Sequence, residues 1–320
     1  MKAGFFLGIA SLLVLLMFPA FGAGFYLQLL TKILILAIFA LSLDLLVGHG
    51  GMVSLGHAAY FGLAAYVLAL MTPQYEAASL WLTLTAAVAA SAAYALLVGL
   101  LVLRSSGVFF IMATLAFAQL LYFLFHDTRL GGGSDGLYIH VKPAAALAGM
   151  ALIDLDSPVQ FYYLVLGLLA AAMLFLFLLL RSSYGHALAG IRINEARMRA
   201  LGYPTFRYRL AAFVVSGALA GVAGYLSAVQ FGFVNPELLS WHQSGAVLMM
   251  VILGGMGRLH GPVLGAFAFV LLQELLSHQA VFGDWAKHWQ LVMGVTIVLV
   301  ALLLPRGLAG LTRLKGQGQA

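Results

Sequence analysis

Runs of about twenty residues built from Leu, Ala, Val, Ile, Phe and Gly, nearly free of charge, recur along this chain of 320 residues. A run of that length is what an α-helix needs to cross the hydrocarbon layer of a bilayer. The fold class that follows is an all-α, polytopic transmembrane helical bundle. Composition agrees, since charged residues make up 8% of the chain against roughly a quarter in soluble domains. A membrane β-barrel would instead show alternating segments of about ten residues. No stretch is polar enough for a soluble domain of any size. The chain has no cysteine, which removes disulfides, thiolate metal sites and cysteine nucleophiles together.

Breaking the apolar runs at charges and turn signals gives ten expected spans, at about 5–22, 25–47, 52–71, 80–103, 107–125, 161–180, 210–231, 240–257, 262–280 and 289–305. The formal charge of +6 then orients them. With the N-terminus inside, Lys2, Arg104, Arg181, Arg192, Arg197, Arg199, Arg207, Arg209, Arg258, Arg306, Arg313 and Lys315 face the cytoplasm. Only Arg129, Lys142 and Lys287 face outward, and Lys32 lies within a span. This is the positive-inside pattern, which puts both termini in the cytoplasm and explains the basic balance without nucleic acid. The first span has a rival reading, because "MKAGFFLGIASLLVLLMFPAFGA" has the basic start, apolar core and small residues of a cleavable signal peptide. A retained helix is the expectation adopted, and residue 24 emerges outside under either reading.

The chain is thus expected to be a single transmembrane domain over 1–320 with two loops of consequence. The outer loop, about 126–160, carries Asp127, Asp135, Asp154 and Asp156, and its "LGGGSDGL" requires turns. The cytoplasmic segment, about 181–209, holds Arg181, Arg192, Arg197, Arg199, Arg207 and Arg209. Between Tyr184 and Gly202 it lacks proline, and Gly202 with Pro204 is a stop signal, so a helix of about 15 residues is expected there. Leu188, Ile191, Met198 and Leu201 share an arc of about 140° on its wheel, and Glu195 is placed to bridge Arg192 and Arg199. A surface helix on the anionic inner leaflet and a docking helix for a cytoplasmic partner both fit.

Charged groups inside spans are functional candidates by default. Lys32 and Asp44 lie near opposite ends of one span, about 18 Å apart, and each can snorkel to its interface. Glu274 sits beside Gln273 in the ninth span. The stretch "GHGGMVSLGHAAYFG", 48–62, is the densest polar feature. His49 and His57 are eight residues apart with no carboxylate between them, which is poor metal-ligand spacing. "GHGG" works as a tight reversal. Ser54, Gly56, His57, Ala58, Ala59 and Gly62 then give the third span a narrow face, open to two readings: close helix packing or the lining of a polar cavity. A second Gly-rich reversal, "LGGMGRLHGPVLGAF" at 253–267, falls on the same side and shares Gly-Gly-Met. "SGALAGVAGYL" from Ser216 places small residues at 217, 221 and 224, a packing face. No GxxxxGK[ST] sequence occurs, so the chain has no P-loop of its own.

Four motifs in succession, "LSLDLLVGHGGMVSLGHAAYFGLAAYV", "LGGGSDGL", "YGHALAGIRINEARMRALGY" and "GGMGRLHGPVLGA", resemble those of the LivM-type permease subunits of branched-chain amino acid ABC transporters, a LivH/LivM family, over about residues 25–306. The resemblance implies an importer subunit that performs no covalent chemistry, is not an enzyme and carries no cofactor, with ATP used by partner subunits. The implied partners are a LivH-like second permease, two cytoplasmic ATPases of LivG/LivF type, and a periplasmic or lipid-anchored solute-binding protein, assembled in the bacterial inner membrane. It assigns ATPase coupling to Gly185, Arg192, Asn194, Glu195, Arg199 and Gly202, and contact with the binding protein to Gly131, Gly132, Gly133, Ser134, Asp135 and Gly136. The expected solute pathway comprises Ser54, Gly56, His57 and Asp44. Relatives often read "LNLLLGYAGQLSLGHAAF", where this chain has Asp44, His49, Gly50 and Met52, and the Asn that usually follows Gly202 is replaced by Tyr203-Pro204. An ionised, cavity-facing Asp44 would favour a cationic or amide solute. Alternatives are an ABC permease for urea or short amides, an ion-coupled secondary transporter, and a channel without energy coupling.

Overall fold

Helix α1, Gly24–Asp44, is apolar on every side and is buried almost continuously from Leu27 to Asp44. A helix without a polar face belongs in the middle of a bundle, and α1 is the post around which the others stand. The computed structural model describes residues 14–20, 24–73, 75–147, 150–278, 282–304 and 307–313. The expected first span therefore lies, apart from 14–20, outside the described residues.

Around α1 follow α2 (His57–Met71), α3 (Leu80–Val102), α4 (Val108–Asp127), α5 (Pro158–Arg181), α6 (Ser183–Ile193) and α7 (Glu195–Ala200), then α8 (Thr205–Phe231), α9 (Trp241–Gly254), α10 (Gly261–Ser277) and α11 (Trp289–Leu303). Among the described residues, six helical segments are long and apolar enough to cross a membrane: Gly24–His49, Leu80–Val102, Val108–Asp127, Pro158–Arg181, Thr205–Phe231 and Trp289–Gly310. Three more apolar helices, α2, α9 and α10, are shorter. Each coincides with an expected span, but α2 starts later and α9 ends sooner because Gly-rich irregular backbone takes up the difference there, while α10 keeps its expected start and its helix ends at Ser277.

Helix α8 packs on α1, α2 and α3, while α10 packs on α9 and α1 and α5 closes on α1. The small residues of α8 are what permit this closeness. A Cβ on Gly224 would overlap the carbonyl of Phe61 in α2, and one on Gly221 would lie 2.8 Å from the Ser91 side chain of α3. Backbones that approach so nearly gain dispersion and side-chain hydrogen bonds across helices. Ser91 Oγ donates to the Tyr60 carbonyl at 2.9 Å, and Thr83 Oγ1 and Tyr225 Oη are 2.8 Å apart.

The loop between α4 and α5 carries short strands that the sequence does not announce. β1 (Leu137–Tyr138) pairs antiparallel with β4 (Phe233–Val234), Leu137 opposite Val234, and β2 (Ala145–Leu147) pairs with β3 (Met150–Ile153). The glycines ahead of β1 form 3-10 turns at Arg129–Gly131 and Gly133–Asp135. A Cβ on Gly136 would overlap the Val234 carbonyl, so the loop is stitched to the connection between α8 and α9.

Candidate functional site

Two regions hold the polar groups that sequence singles out: a junction at the C-terminal end of α1 and a cavity nearer its N-terminal end.

At the junction, α1 unwinds into a π-helical turn, Leu45–His49, before the chain doubles back. Gly50 N donates to the Leu45 carbonyl at 3.0 Å and Met52 N to that of Leu46 at 2.9 Å. Gly51 has φ +68°, a left-handed conformation that other residues adopt only at a cost. The reversal is longer than a two-glycine turn, so α2 begins at His57 rather than near 52. Into this turn reaches the other Gly-rich reversal: Gly257 N donates to Asp44 Oδ1 at 2.9 Å, and there is no room for a side chain on Gly48 between Asp44 and Gly257. Asp44 is 2% exposed. It does not snorkel to the interface, and it lines neither cavity described below, because its carboxylate is occupied in joining two backbone loops.

The segment of α6 and α7 clamps the same turn. Arg192 donates to the Gly48 carbonyl, and its aliphatic stem lies against Gly51, where a Cβ would come within 3.0 Å of Arg192 Cγ. The expected bridge from Glu195 to Arg192 is therefore replaced. Glu195 instead pairs with Arg199 at 2.8 Å and with Arg209 at 3.1 Å, and accepts from Thr205 Oγ1 at 3.1 Å. The expected continuous helix over this segment is also corrected. Asn194 stands in extended backbone, φ −156° and ψ 96°, and its side chain accepts from Arg197 N at 2.9 Å, so it ends α6 and caps α7. An Asn side chain competes with the helical backbone for that donor, and here it wins. As a result the predicted apolar face divides. Leu188 and Ile191 are in the core, whereas Leu201 is 66% exposed, and Ile193, which lies off that face, is 83% exposed. Gly185 packs against the Leu180 backbone at the start of α6, and Gly202 has φ +86°. Tyr184 Oη donates to the Tyr208 carbonyl at 2.8 Å, and burial first, then neighbouring Tyr208, pushes its hydroxyl up to about 12. That hydroxyl remains a donor at any physiological pH.

Ser54, Gly56 and His57 lie just inside the reversal and are fully enclosed by α1, α4, α8 and α9. Ser54 Oγ accepts from Gly56 N at 3.2 Å, a Cβ on Gly56 would overlap the Thr114 carbonyl, and Ala58 N donates to Ser244 Oγ at 2.9 Å. His57 Nε2 lies 2.8 Å from Ser42 Oγ, and its ring stacks on Phe39. Because Ser42 gives its proton to the Phe39 carbonyl at 2.6 Å, its oxygen accepts from the imidazole N–H. In this conformation these residues are buried among the helices and line neither of the cavities described below. Among the described residues no group of three or more His, Asp or Glu is arranged to hold a metal ion.

The larger cavity, about 950 Å³, lies between α1, α4, α8, α9, α10 and α11. Lys32 lines it, together with Gln119, Gln230 and Glu237. A smaller one of about 280 Å³ shares Lys32 and Gln230 and adds Glu274 and Lys142. Sequence reading missed Gln119, Gln230 and Glu237, although an amide within an apolar run was a signal to follow. In the outer loop Ser134 and Asp135 are exposed.

Residues 25–301 match the family described as branched-chain amino acid transport system / permease component. The high-affinity branched-chain amino acid transport system permease protein LivM of Salmonella typhimurium is 33% identical over 304 residues, 88% of this chain and 69% of the relative, and LivM of Escherichia coli gives the same figures. The autoinducer 2 import system permease protein LsrC of Klebsiella pneumoniae is 36% identical over 119 residues, 36% of this chain and 34% of the relative. No solved structure matches.

Proposed function

The chain belongs to the family of branched-chain amino acid transport permease components and is a permease subunit of an ABC importer; from that premise we propose how its inner and outer ends divide the work. The topology we infer has ten spans with both termini in the cytoplasm of a bacterial cell, the protein residing in the inner membrane. The importer is completed by a LivH-like permease, two cytoplasmic ATPases and a solute-binding protein outside. This chain holds no cofactor, and ATP is consumed by its partners.

In this reading α6 and α7 form the coupling element. Gly185 and Gly202 set its ends, Asn194 bends it, and Arg197 with exposed Ile193 and Leu201 is offered to an ATPase, while Glu195 anchors it to Arg199 and Arg209. The observation that carries the proposal is the bond from Arg192 to the Gly48 carbonyl, since it ties the coupling element to the turn that ends the central helix. Asp44 extends the link to Gly257 and hence to α10. Movement of the ATPases would shift this junction and with it Ser54, Gly56 and His57, which seal the inner half of the path. The Gly131–Gly136 loop faces the binding protein.

Copurification of the chain with two ATPase subunits, and uptake of branched-chain amino acids by the assembled complex that stops on ATP depletion, are the expected results. Uphill transport by the isolated chain would instead identify an ion-coupled transporter.

A further inference from the structure

The outer cavity collects charged and hydrogen-bonding groups that lack protein partners. Lys32 enters its lining from α1 and Glu237 from the 3-10 turn Pro236–Leu239. Among the described residues neither side chain forms an ion pair or hydrogen bond, in contrast to Glu195, Asp156 and Asp44. Two amides complete the pattern. Gln119 Nε2 and Gln230 Oε1 are buried without a partner, while Gln230 Nε2 donates to the Gln28 carbonyl at 2.8 Å. Buried donors and acceptors are ordinarily satisfied, so an orphaned donor and an orphaned acceptor on two side chains that line one cavity point to a ligand that satisfies both once those amides turn toward it. The floor is apolar, formed by Phe61 and Met250. Its volume exceeds that of one amino acid, leaving space for bridging water.

We propose that this cavity is a resting station for a zwitterionic α-amino acid crossing the protein. The carboxylate turns toward Lys32 and the Gln119 N–H, the ammonium toward Glu237 and the Gln230 oxygen, and the apolar side chain rests on Phe61 and Met250. A cation or an uncharged amide would leave Lys32 uncompensated, so the lining selects for both charges together. The inference rests on the chain's role as an amino acid permease and adds the contacting residues and the ionic form of the solute.

The test uses the complete importer in proteoliposomes, with binding protein loaded with L-leucine as the probe. Lys32→Gln should lower uptake about tenfold or more, the effect of losing one charge-assisted hydrogen bond. It should leave stimulated ATP hydrolysis and the half-saturating concentration of binding protein within about twofold of wild type, and Lys32→Arg should restore most of the uptake. Uptake by Lys32→Gln within about twofold of wild type, or equal loss in Lys32→Arg, overturns the assignment. Should Lys32→Gln fail to assemble, Gln119→Cys gives the chain its sole thiol, since the sequence has no cysteine. Its modification by a hydrophilic thiol reagent should be slowed by leucine-loaded binding protein, and an unreactive or unprotected thiol counts against the station. A wild-type complex that moves leucine without ATP would overturn the importer reading instead, a result separable from variants that match a working wild type.

Discussion

The junction at the C-terminal end of α1 and the cavity nearer its N-terminal end are built on opposite terms. At the C-terminal end of α1 the groups of the junction itself are engaged: Asp44 by Gly257, the Gly48 carbonyl by Arg192, and Glu195 by Arg199, Arg209 and Thr205, whereas Nδ1 of the neighbouring His57 is buried without a partner. Glycines there are pressed so closely that no side chain would fit. Around the cavity Lys32, Glu237, Gln119 and Gln230 border open volume with hydrogen-bonding capacity unused. A fully satisfied junction resists deformation and passes on displacement, because packed interfaces switch between discrete arrangements rather than stretching. An unsatisfied cavity is suited to receiving a solute. One bundle thus pairs a sealed, mechanically connected end with a receptive one.

The contrast can be broken most severely at the packing face that supports both ends. Gly224→Leu, which drives a side chain into the Phe61 carbonyl, should cost roughly 3 kcal/mol or more and abolish recovery of monodisperse protein on size-exclusion chromatography. Normal recovery would show that α8 and α2 can separate at little cost. At the junction, Asp44→Ala leaves the Gly257 N–H buried without an acceptor and should cost about 1–3 kcal/mol, read as a lower thermal midpoint in detergent. Asp44→Asn retains an acceptor oxygen and should cost less than about 1 kcal/mol. Equal effects of the two would mean that charge, not the hydrogen bond, matters at Asp44. The smallest effect is expected on the exposed outer loop. Asp135→Asn should leave the thermal midpoint unchanged while shifting the half-saturating concentration of binding protein about threefold; a stability loss there would place Asp135 in the framework.

Much of this architecture is legible in the residues. The apolar runs locate the helices, and the small residues at 217, 221 and 224 mark a packing face that the structure uses at Gly217, Gly221 and Gly224. The two Gly-Gly-Met reversals are visible in sequence as related features, yet their union is not, because Asp44 and Gly257 are 213 residues apart and nothing local predicts the contact. The break at Asn194 is hidden because its neighbours are helix formers, and only the capping geometry shows that its side chain takes the Arg197 N–H. Asp44 misleads in another way: near a span end, a carboxylate reads as one that can reach water, and the partner that makes burial tolerable comes from a distant backbone. The cavity is least legible, since Gln119, Gln230 and Glu237 each stand alone in sequence and acquire meaning only when helices bring them together.

The link from Arg192 to Gly48 carries the account, and a comparison of wild type with Arg192→Gln in the reconstituted importer tests it most directly. Hydrolysis of ATP stimulated by leucine-loaded binding protein is the quantity to measure, with copurification of the ATPases as the control for assembly. The account predicts an assembled Arg192→Gln complex in which basal hydrolysis persists and both the stimulation and uptake are lost. Full stimulation and wild-type uptake in that complex would contradict it.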